Sequence, residues 1–346
     1  MRVSNRSTIR NYLTYLNKAQ TDTLETNARI SSGCRFKAIS SDVAAGTRVL
    51  RTRTDLYKAE KQYTNVQSIG DQLEIEESAM TSINDLLVKI HGTDVLKAQQ
   101  ESTGESSRAV IATELDGMLE SIVQFANTKY DQSFVFGGSN ASSSPFSVNT
   151  SGKLCYNGID VDNIQKNTDG TYYYTDPSDA SGGNTKYDLP MNDATYMDIG
   201  LGIRMDGTTV QAGTGFQISY NGVELLGFGK DADGRSNNLY NIVANIRDNI
   251  KNYNKDTLNA LDKKLVTRTD EFRENLTSIG TKTSFLETME DKLKANVDNC
   301  KSRIKDLMGT DDAQDATSLK SNEYVLKALL QMGAQLLPTS LMDYIR

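Results

Sequence analysis

The sequence has no tryptophan, one histidine and three cysteines in 346 residues. A single histidine, His91, excludes any multi-histidine metal site. Cys34, Cys155 and Cys300 are too widely spaced for CxxC redox chemistry or a Cys/His zinc site. An odd, scattered set also argues against a disulfide framework. Aromatic residues reach only 7% and hydrophobic residues 37%. That is lean for an enzyme with a deep apolar pocket, and it suits long helices that bury one stripe. No apolar run approaches the roughly 18 residues that mark a membrane span, so membrane insertion is not expected. The opening Met1-Arg2-Val3-Ser4-Asn5-Arg6 lacks an apolar stretch of signal-peptide length. The expectation is a cytoplasmic chain, or one that leaves the cell by a route that removes no leader.

Proline is scarce and unevenly placed. Pro145, Pro177, Pro190 and Pro338 are the only four, and 16 of the 25 glycines fall within 137–234. Both residues interrupt helices, so their crowding marks a change of structure. Charge divides the chain at the same place. Residues 137–234 carry 5 Lys and Arg against 12 Asp and Glu, and the remainder balances at 33 of each. The net charge of −7 therefore sits in the middle segment. No basic patch of the kind nucleic acid requires is present, so no nucleic-acid partner is expected.

What the sequence does have is long helical rhythm. Ser41 or Asp42 can cap a helix by accepting from a first-turn amide. Val49, Leu56, Tyr63, Val66, Ile69, Leu73, Met80, Ile83, Leu87 and Ile90 then recur at steps of mostly three, four and seven residues. Glu76 is the one discordant position. This is the narrow stripe of a bundle or coiled-coil seam. Gly92 and Gly104 weaken its far end, with a turn near 101–106. A second helix carries Ile111, Leu115, Met118, Ile122 and Phe125. Leu276, Ile279, Leu286, Leu293, Val297, Cys300, Ile304 and Leu307 repeat the rhythm near the other terminus, with Leu258, Leu261 and Leu265 upstream. Gly309-Thr310-Asp311-Asp312 ends that run, a helix stop followed by helix-start residues. A last amphipathic stretch extends from Leu319 to Leu337.

The middle reads as β. Asn157-Gly158, Asp169-Gly170, Asp206-Gly207 and Asn221-Gly222 each suit a tight hairpin turn. Runs such as Thr171–Tyr174 and Phe216–Tyr220 flank them. The predicted fold is mainly α with an inserted β domain, a long antiparallel helical bundle or coiled-coil rod carrying a small, mostly antiparallel insert. Its segments are an N-terminal assembly segment (1–40), a helical rod (41–134 with 236–310), an acidic β insert (135–235) and a C-terminal assembly helix (311–346). The insert is expected to be removable, leaving the helices folded.

No catalytic constellation emerges, so no catalytic, cofactor or metal site is assigned. Asp231-Ala232-Asp233-Gly234 opens like a calcium loop, but Arg235 and Ile242 occupy the fifth and twelfth positions; Asp160 and Asp162 fail similarly. His91 has no carboxylate or nucleophile partner by spacing. No pair of carboxylates stands in an apolar surround that would part their pKa values. The cysteines read as small buried apolar residues. The terminal stripes are different. Ile9, Leu13, Leu16, Leu24 and Ile30 form a thin stripe beyond Gly33, and isolated helices of that kind are marginal in water. Such stripes ask for partners, and both termini are expected to be unstructured in the lone chain.

Ala28-Arg29-Ile30-Ser31-Ser32-Gly33, Ser41-Asp42-Val43-Ala44-Ala45-Gly46 and Asn65-Val66-Gln67-Ser68-Ile69-Gly70-Asp71 resemble the flagellin-type N-terminal region. Ala126-Asn127-Thr128-Lys129-Tyr130, Phe134–Ser139 and Pro145-Phe146 resemble the hook-associated proteins of the hook–filament junction, as does the ending Leu336–Ile345. The resemblance covers roughly 1–146 and 260–346, with a looser stretch at 196–202. It implies a structural adaptor of the bacterial flagellum, outside the cell, on which flagellin polymerises. Implied partners are the first hook-associated protein on the hook side, flagellin on the filament side, neighbouring copies of itself, an export chaperone and the flagellar type III export apparatus. The terminal self-assembly role carries over to Ile9, Leu13, Leu16, Leu24, Leu326, Leu330, Leu337 and Leu341. Cys34, Phe36 and a missing proline before Asp42 depart from the pattern. Flagellin itself, an enzyme housed in the β insert and a cytoplasmic coiled-coil scaffold are the competing readings.

Overall fold

The computed structural model describes residues 5–100, 103–139, 143–168, 170–176, 185–189, 195–200, 202–207, 209–211, 213–218 and 221–344, without the side chains of 5–6, 209 and 335–344. In chain order the helices are α1 (Asn5–Ser32), α2 (Val43–Lys89), α3 (Leu96–Gln99), α4 (Glu105–Ala126), α5 (Gly222–Leu226), α6 (Leu239–Asn252), α7 (Lys255–Met308) and α8 (Asp312–Tyr344). A π-helical turn, Ile90–Val95, joins α2 to α3. The strands are β1 (Lys129–Tyr130), β2 (Ser133–Phe134), β3 (Phe146–Val148), β4 (Leu154–Tyr156), β5 (Ile159–Asp160), β6 (Ile164–Lys166), β7 (Tyr172–Thr175), β8 (Lys186–Asp188), β9 (Tyr196–Met197), β10 (Met205–Asp206), β11 (Thr209–Val210) and β12 (Phe216–Gln217). The mainly helical class with small antiparallel sheets between the helices is therefore observed.

The chain forms two compact units, residues 61–293 and residues 1–60 with 294–346. In the first, the expected seam is present. Val66, Ile69, Leu73, Met80, Ile83, Leu87 and Ile90 of the α2 stripe are buried, as are Leu265, Phe272, Ile279, Leu286 and Leu293 of α7. The two helices run antiparallel here, since Asn84 accepts from Arg273 Nε at 3.0 Å and Tyr63 donates to Glu290 at 3.2 Å. Ile111, Leu115, Met118 and Ile122 of α4 face Ile242, Val243, Ile246 and Ile250 of α6 in the same core.

The β segment, expected to be removable, shares that core with the helices. Phe136, Phe146, Leu154, Tyr156, Val161, Ile164, Val223 and Leu226 join the helical residues in one apolar cluster. Backbone ties reinforce this. Asn241 on α6 accepts from the Leu154 amide at 3.0 Å, and Asn127 both donates to Phe146 O and accepts from its amide at 3.0 Å. The strands make three-stranded sheets β3-β4-β5 and β6-β7-β8 and the pairs β1-β2, β9-β12 and β10-β11, all antiparallel.

Two of the four turn assignments need correction. Asn157 and Gly158 take φ of 48° and 84° between β4 and β5, as a primed turn requires. Gly170, with φ 91°, lies between β6 and β7, and Asp169 is outside the described residues. Asp206, however, pairs with Thr209, so that connection begins one residue later, at Gly207. Asn221-Gly222 is no hairpin at all: it opens α5. Glycine is required there for space. A Cβ on Gly222 would come within 2.5 Å of Phe136 O and 2.6 Å of the Tyr156 ring. The run expected to be strand through Tyr220 is strand only at β12, with 219–220 outside the described residues.

Candidate functional site

In the unit of residues 1–60 and 294–346, α1 packs along α8. They run antiparallel, as three cross-links show. Arg29 pairs with Asp315 at 3.2 Å. Asn322 Nδ2 donates to Asp22 O at 3.3 Å and to Thr26 Oγ1 at 3.1 Å. Further along, Gly333 lies against the Tyr12 phenol, where any Cβ would collide. Ala19 and Thr26 are buried between the helices. Asp315 also accepts from the Thr310 hydroxyl. That bond, with the Arg29 guanidinium, holds its carboxyl below the usual aspartate value.

The approaches to these helices are zipped together. Arg35 N donates to Met308 O at 2.7 Å, Thr310 N donates to Gly33 O at 3.3 Å, and Cys34 bridges Gly309. Gly33 takes φ 62°, which ends α1. Asp42 caps α2 by accepting from the Ala45 amide at 2.9 Å, and it also accepts from Arg35 at 2.7 Å. Phe36, Ala45 and Val49 form a small apolar cluster with Leu307 and Met308. The flagellin-like segments 28–33 and 41–46 thus form the corner between α1 and α2.

The pairing leaves much apolar surface open. Of the residues assigned from the sequence, Ile9, Leu16 and Leu326 are half-buried, while Leu13, Leu24 and Leu330 are 49%, 69% and 53% exposed. The side chains of Leu337 and Leu341 lie outside the described residues. Tyr15, Tyr324, Val325 and Met332 add to the exposed face. A groove of about 280 Å³ runs between the helices, lined by Tyr15, Ala19, Val325 and Leu329 with Lys18, Asp22 and Asn322. The termini, expected to be unstructured in a lone chain, are helical and paired with each other in this structure. The polar ladder of Asp22, Thr26, Arg29, Asp315 and Asn322 escaped the sequence reading. Its members are neighbours only through antiparallel register, although Arg29 and Asp315 sit symmetrically beside the two helix breaks.

The other unit offers polar clefts but no arranged nucleophile and base among its described residues. One of about 550 Å³ includes Asp162 and Asn241 in its lining. Both are already engaged, Asp162 by Lys153 at 3.0 Å and by Asn241 at 3.0 Å. Asp231 accepts from Lys264 at 2.5 Å and from the amides of Asp233 and Arg235, as a capped acidic turn does. His91 does have a carboxylate partner: its Nδ1 lies 2.7 Å from Asp262 Oδ1, across 171 residues of sequence. Cys155 is buried, but Cys34 and Cys300 are only partly so.

Residues 3–141 match the model of the bacterial flagellin N-terminal helical region. The match covers the N-terminal two fifths of the chain, α1 through α4 and the first strand pair. In structure it is similar to a Vibrio parahaemolyticus protein assigned as flagellar hook-associated, with a TM-score of 0.55, 17% identity, and coverage of 78% of this chain and 100% of that one. This likeness establishes a shared fold. The flagellar junction protein FlgL of Legionella pneumophila gives a TM-score of 0.46 at 17% identity, over 76% of this chain and 100% of that one. FlgL of Bacillus cereus gives 0.42 at 17% identity, over 68% and 96%. No curated protein matches the chain by sequence.

Proposed function

We propose that the chain is a structural adaptor at the hook–filament junction of the bacterial flagellum, a platform on which flagellin polymerises. The observation that carries this reading is the α1–α8 pair, held by a polar ladder yet open along Leu13, Leu24, Tyr324 and Leu330. A surface of that kind, on a chain whose N-terminal part matches the flagellin helical region, calls for helical neighbours, because each leucine covered gains about 1.5–3 kcal/mol. Ile9, Leu13, Leu16, Leu24, Leu326, Leu330, Leu337 and Leu341 are the assembly residues of this reading. Segments 1–40 and 311–346 are its assembly modules, 41–134 with 236–310 its helical framework, and 135–235 its acidic insert. The partners are copies of the chain, the first hook-associated protein and flagellin, reached by type III export with a chaperone. The site of action is extracellular, and the role is structural and not catalytic.

The test is Leu330→Asp. The lone chain should keep its melting temperature, since Leu330 is already half in water. Cells carrying it should export the protein, fail to build filaments and shed flagellin into the medium. Normal motility in that strain would remove the terminal face from the assembly surface. Antibody labelling of flagella separates an adaptor, confined to the junction, from a filament subunit spread along the whole length.

A further inference from the structure

The seam of α2 and α7 contains one residue that breaks its apolar rule. Glu76 has no exposed surface at all, yet it stands one turn from the fully buried Leu73 and Met80. Its Oε1 accepts from Gln72 Nε2 at 3.1 Å, and its Oε2 is buried with no partner. The same Gln72 Nε2 donates to Ile218 O at 2.8 Å. Ile218 follows β12, and its own amide donates to Thr195 O at 2.9 Å, closing the β9–β12 pair. That pair packs on the seam through Met197, Ile199, Phe216 and Ile218 against Val66, Ile69, Leu73, Leu286 and Leu293. Gln72 is therefore a polar link between a buried acid and the attachment of a sheet.

The charged group facing Glu76 from α7 is Lys282, itself half-buried. From its own helix the facing side chain is Gln72, and from the sheet it is the Ile218 carbonyl behind that amide. Glu74, Glu77, Glu287 and Glu290 line an adjoining open groove with Asp71. An anion with one bare oxygen in such a place is strongly disfavoured, because nothing replaces its lost water.

We propose that Glu76 is a proton-operated latch: neutral, it sits in the seam and steadies Gln72 against Ile218; ionised, it opens the seam to water and loosens the β9–β12 sheet. The step is a single proton leaving the Glu76 carboxyl for solvent, with Lys282 as the nearby cation that meets the new charge. Burial pushes the Glu76 carboxyl from 4.5 up to about 8, and the Gln72 bond and Lys282 oppose that rise only in part. The sign follows from linkage. The unfolded chain loses this proton near 4.5 while the folded chain keeps it to about 8. Stability from this group is full below 4.5, falls by about tenfold in the folding constant per pH unit between these values, and is level above.

The experiment uses the full chain. Equilibrium unfolding from pH 5 to 9 is compared between the wild type and Glu76→Gln, with Glu76→Leu as the second variant should the first not fold. The wild type should lose stability across this window, and the variants should lack that component of the slope. In infrared spectra, a protonated-carboxyl stretch should be present in the wild type at pH 6.5, vanish by pH 9 and be missing from the variants. Proteolysis within 202–218, corrected for protease activity, should quicken between pH 6.5 and 9 in the wild type only. Equal pH slopes in wild type and variants, or a 202–218 segment indifferent to pH, would overturn the latch.

Discussion

In residues 61–293, the largest side chains disappear from solvent: Phe136, Phe146, Tyr156 and Phe272 are 2% exposed or less. In the unit made by the chain ends, Leu24 and Tyr324 are 69% and 77% exposed on helices just as regular. Both regions are written in the same alphabet of leucine, isoleucine and tyrosine at helical spacing. They differ in how many neighbours each stripe meets. The α2 stripe meets α7, and α4, α6 and the sheets complete the core around them, so the seam itself is covered. α1 and α8 have one helix each to lean on, and a helix with a two-sided apolar face keeps one side open. Polar cross-links set the register of the terminal pair where packing alone is thin.

The strongest way to break this contrast is to remove 140–232. Phe146, Leu154, Tyr156, Val161, Ile164, Val223 and Leu226 would leave the core together. Circular dichroism at 222 nm should then show helix lost well beyond the residues deleted. A deletion protein with intact α4 and α6 would return the β segment to the status of a free insert. Next comes Leu115→Ala, at a site with no exposure. It should cost about 2–5 kcal/mol in urea unfolding, the range for buried leucines. The same change at Leu330 should stay within about 1 kcal/mol in the lone chain, since surface substitutions cost little. Similar losses at both positions would erase the distinction between the units. Gly222→Ala should cost about 1–3 kcal/mol by overpacking against Phe136 O and the Tyr156 ring. A neutral result would show that α5 shifts freely.

The smallest effect is electrostatic. Asp315 titrates below its ordinary value of 3.8, first because Thr310 donates to it and then because of Arg29. Its contribution is present above 3.8 and is lost as the pH falls through the lower folded value. Amide exchange in α1 and α8 should therefore quicken in acid, and Asp315→Asn should show less of that change. An unchanged acid response in the variant would leave the ladder without a role in pairing.

The long seams were legible from spacing because a helix repeats its buried face every three or four residues, whatever covers it. Val49, Leu73, Ile83, Ile279 and Leu286 lie where that rhythm places them. Glu76 was visible as an exception, but its burial was not, since that depends on neighbours distant in sequence, Lys282 of α7 and the β9–β12 pair tied to Gln72. Turn chemistry was ambiguous at Asn221-Gly222: the dipeptide serves a hairpin through positive φ or a helix start through small size, and Phe136 and Tyr156 decide between them. The β segment looked independent because charge and glycine follow the chain, whereas core membership follows contacts between residues far apart. His91 and Asp262 were hidden for the same reason. On the assembly face, the sequence showed which residues were apolar and not how they divide between groove and open surface.

Tyr63 and Glu290 stand bonded though 227 positions separate them, and this has a consequence for the order of events in time. The paired residues of α1 and α8, such as Arg29 and Asp315, stand nearly three hundred positions apart, so their encounter alone closes a long loop, and long-range closure is what slows folding. Once α2 and α7 have met near Tyr63 and Glu290, the loop left to close is short at both ends. The terminal pair is therefore expected to form after the seam, and a truncated product that lacks α8 leaves α1 without the helix it pairs with.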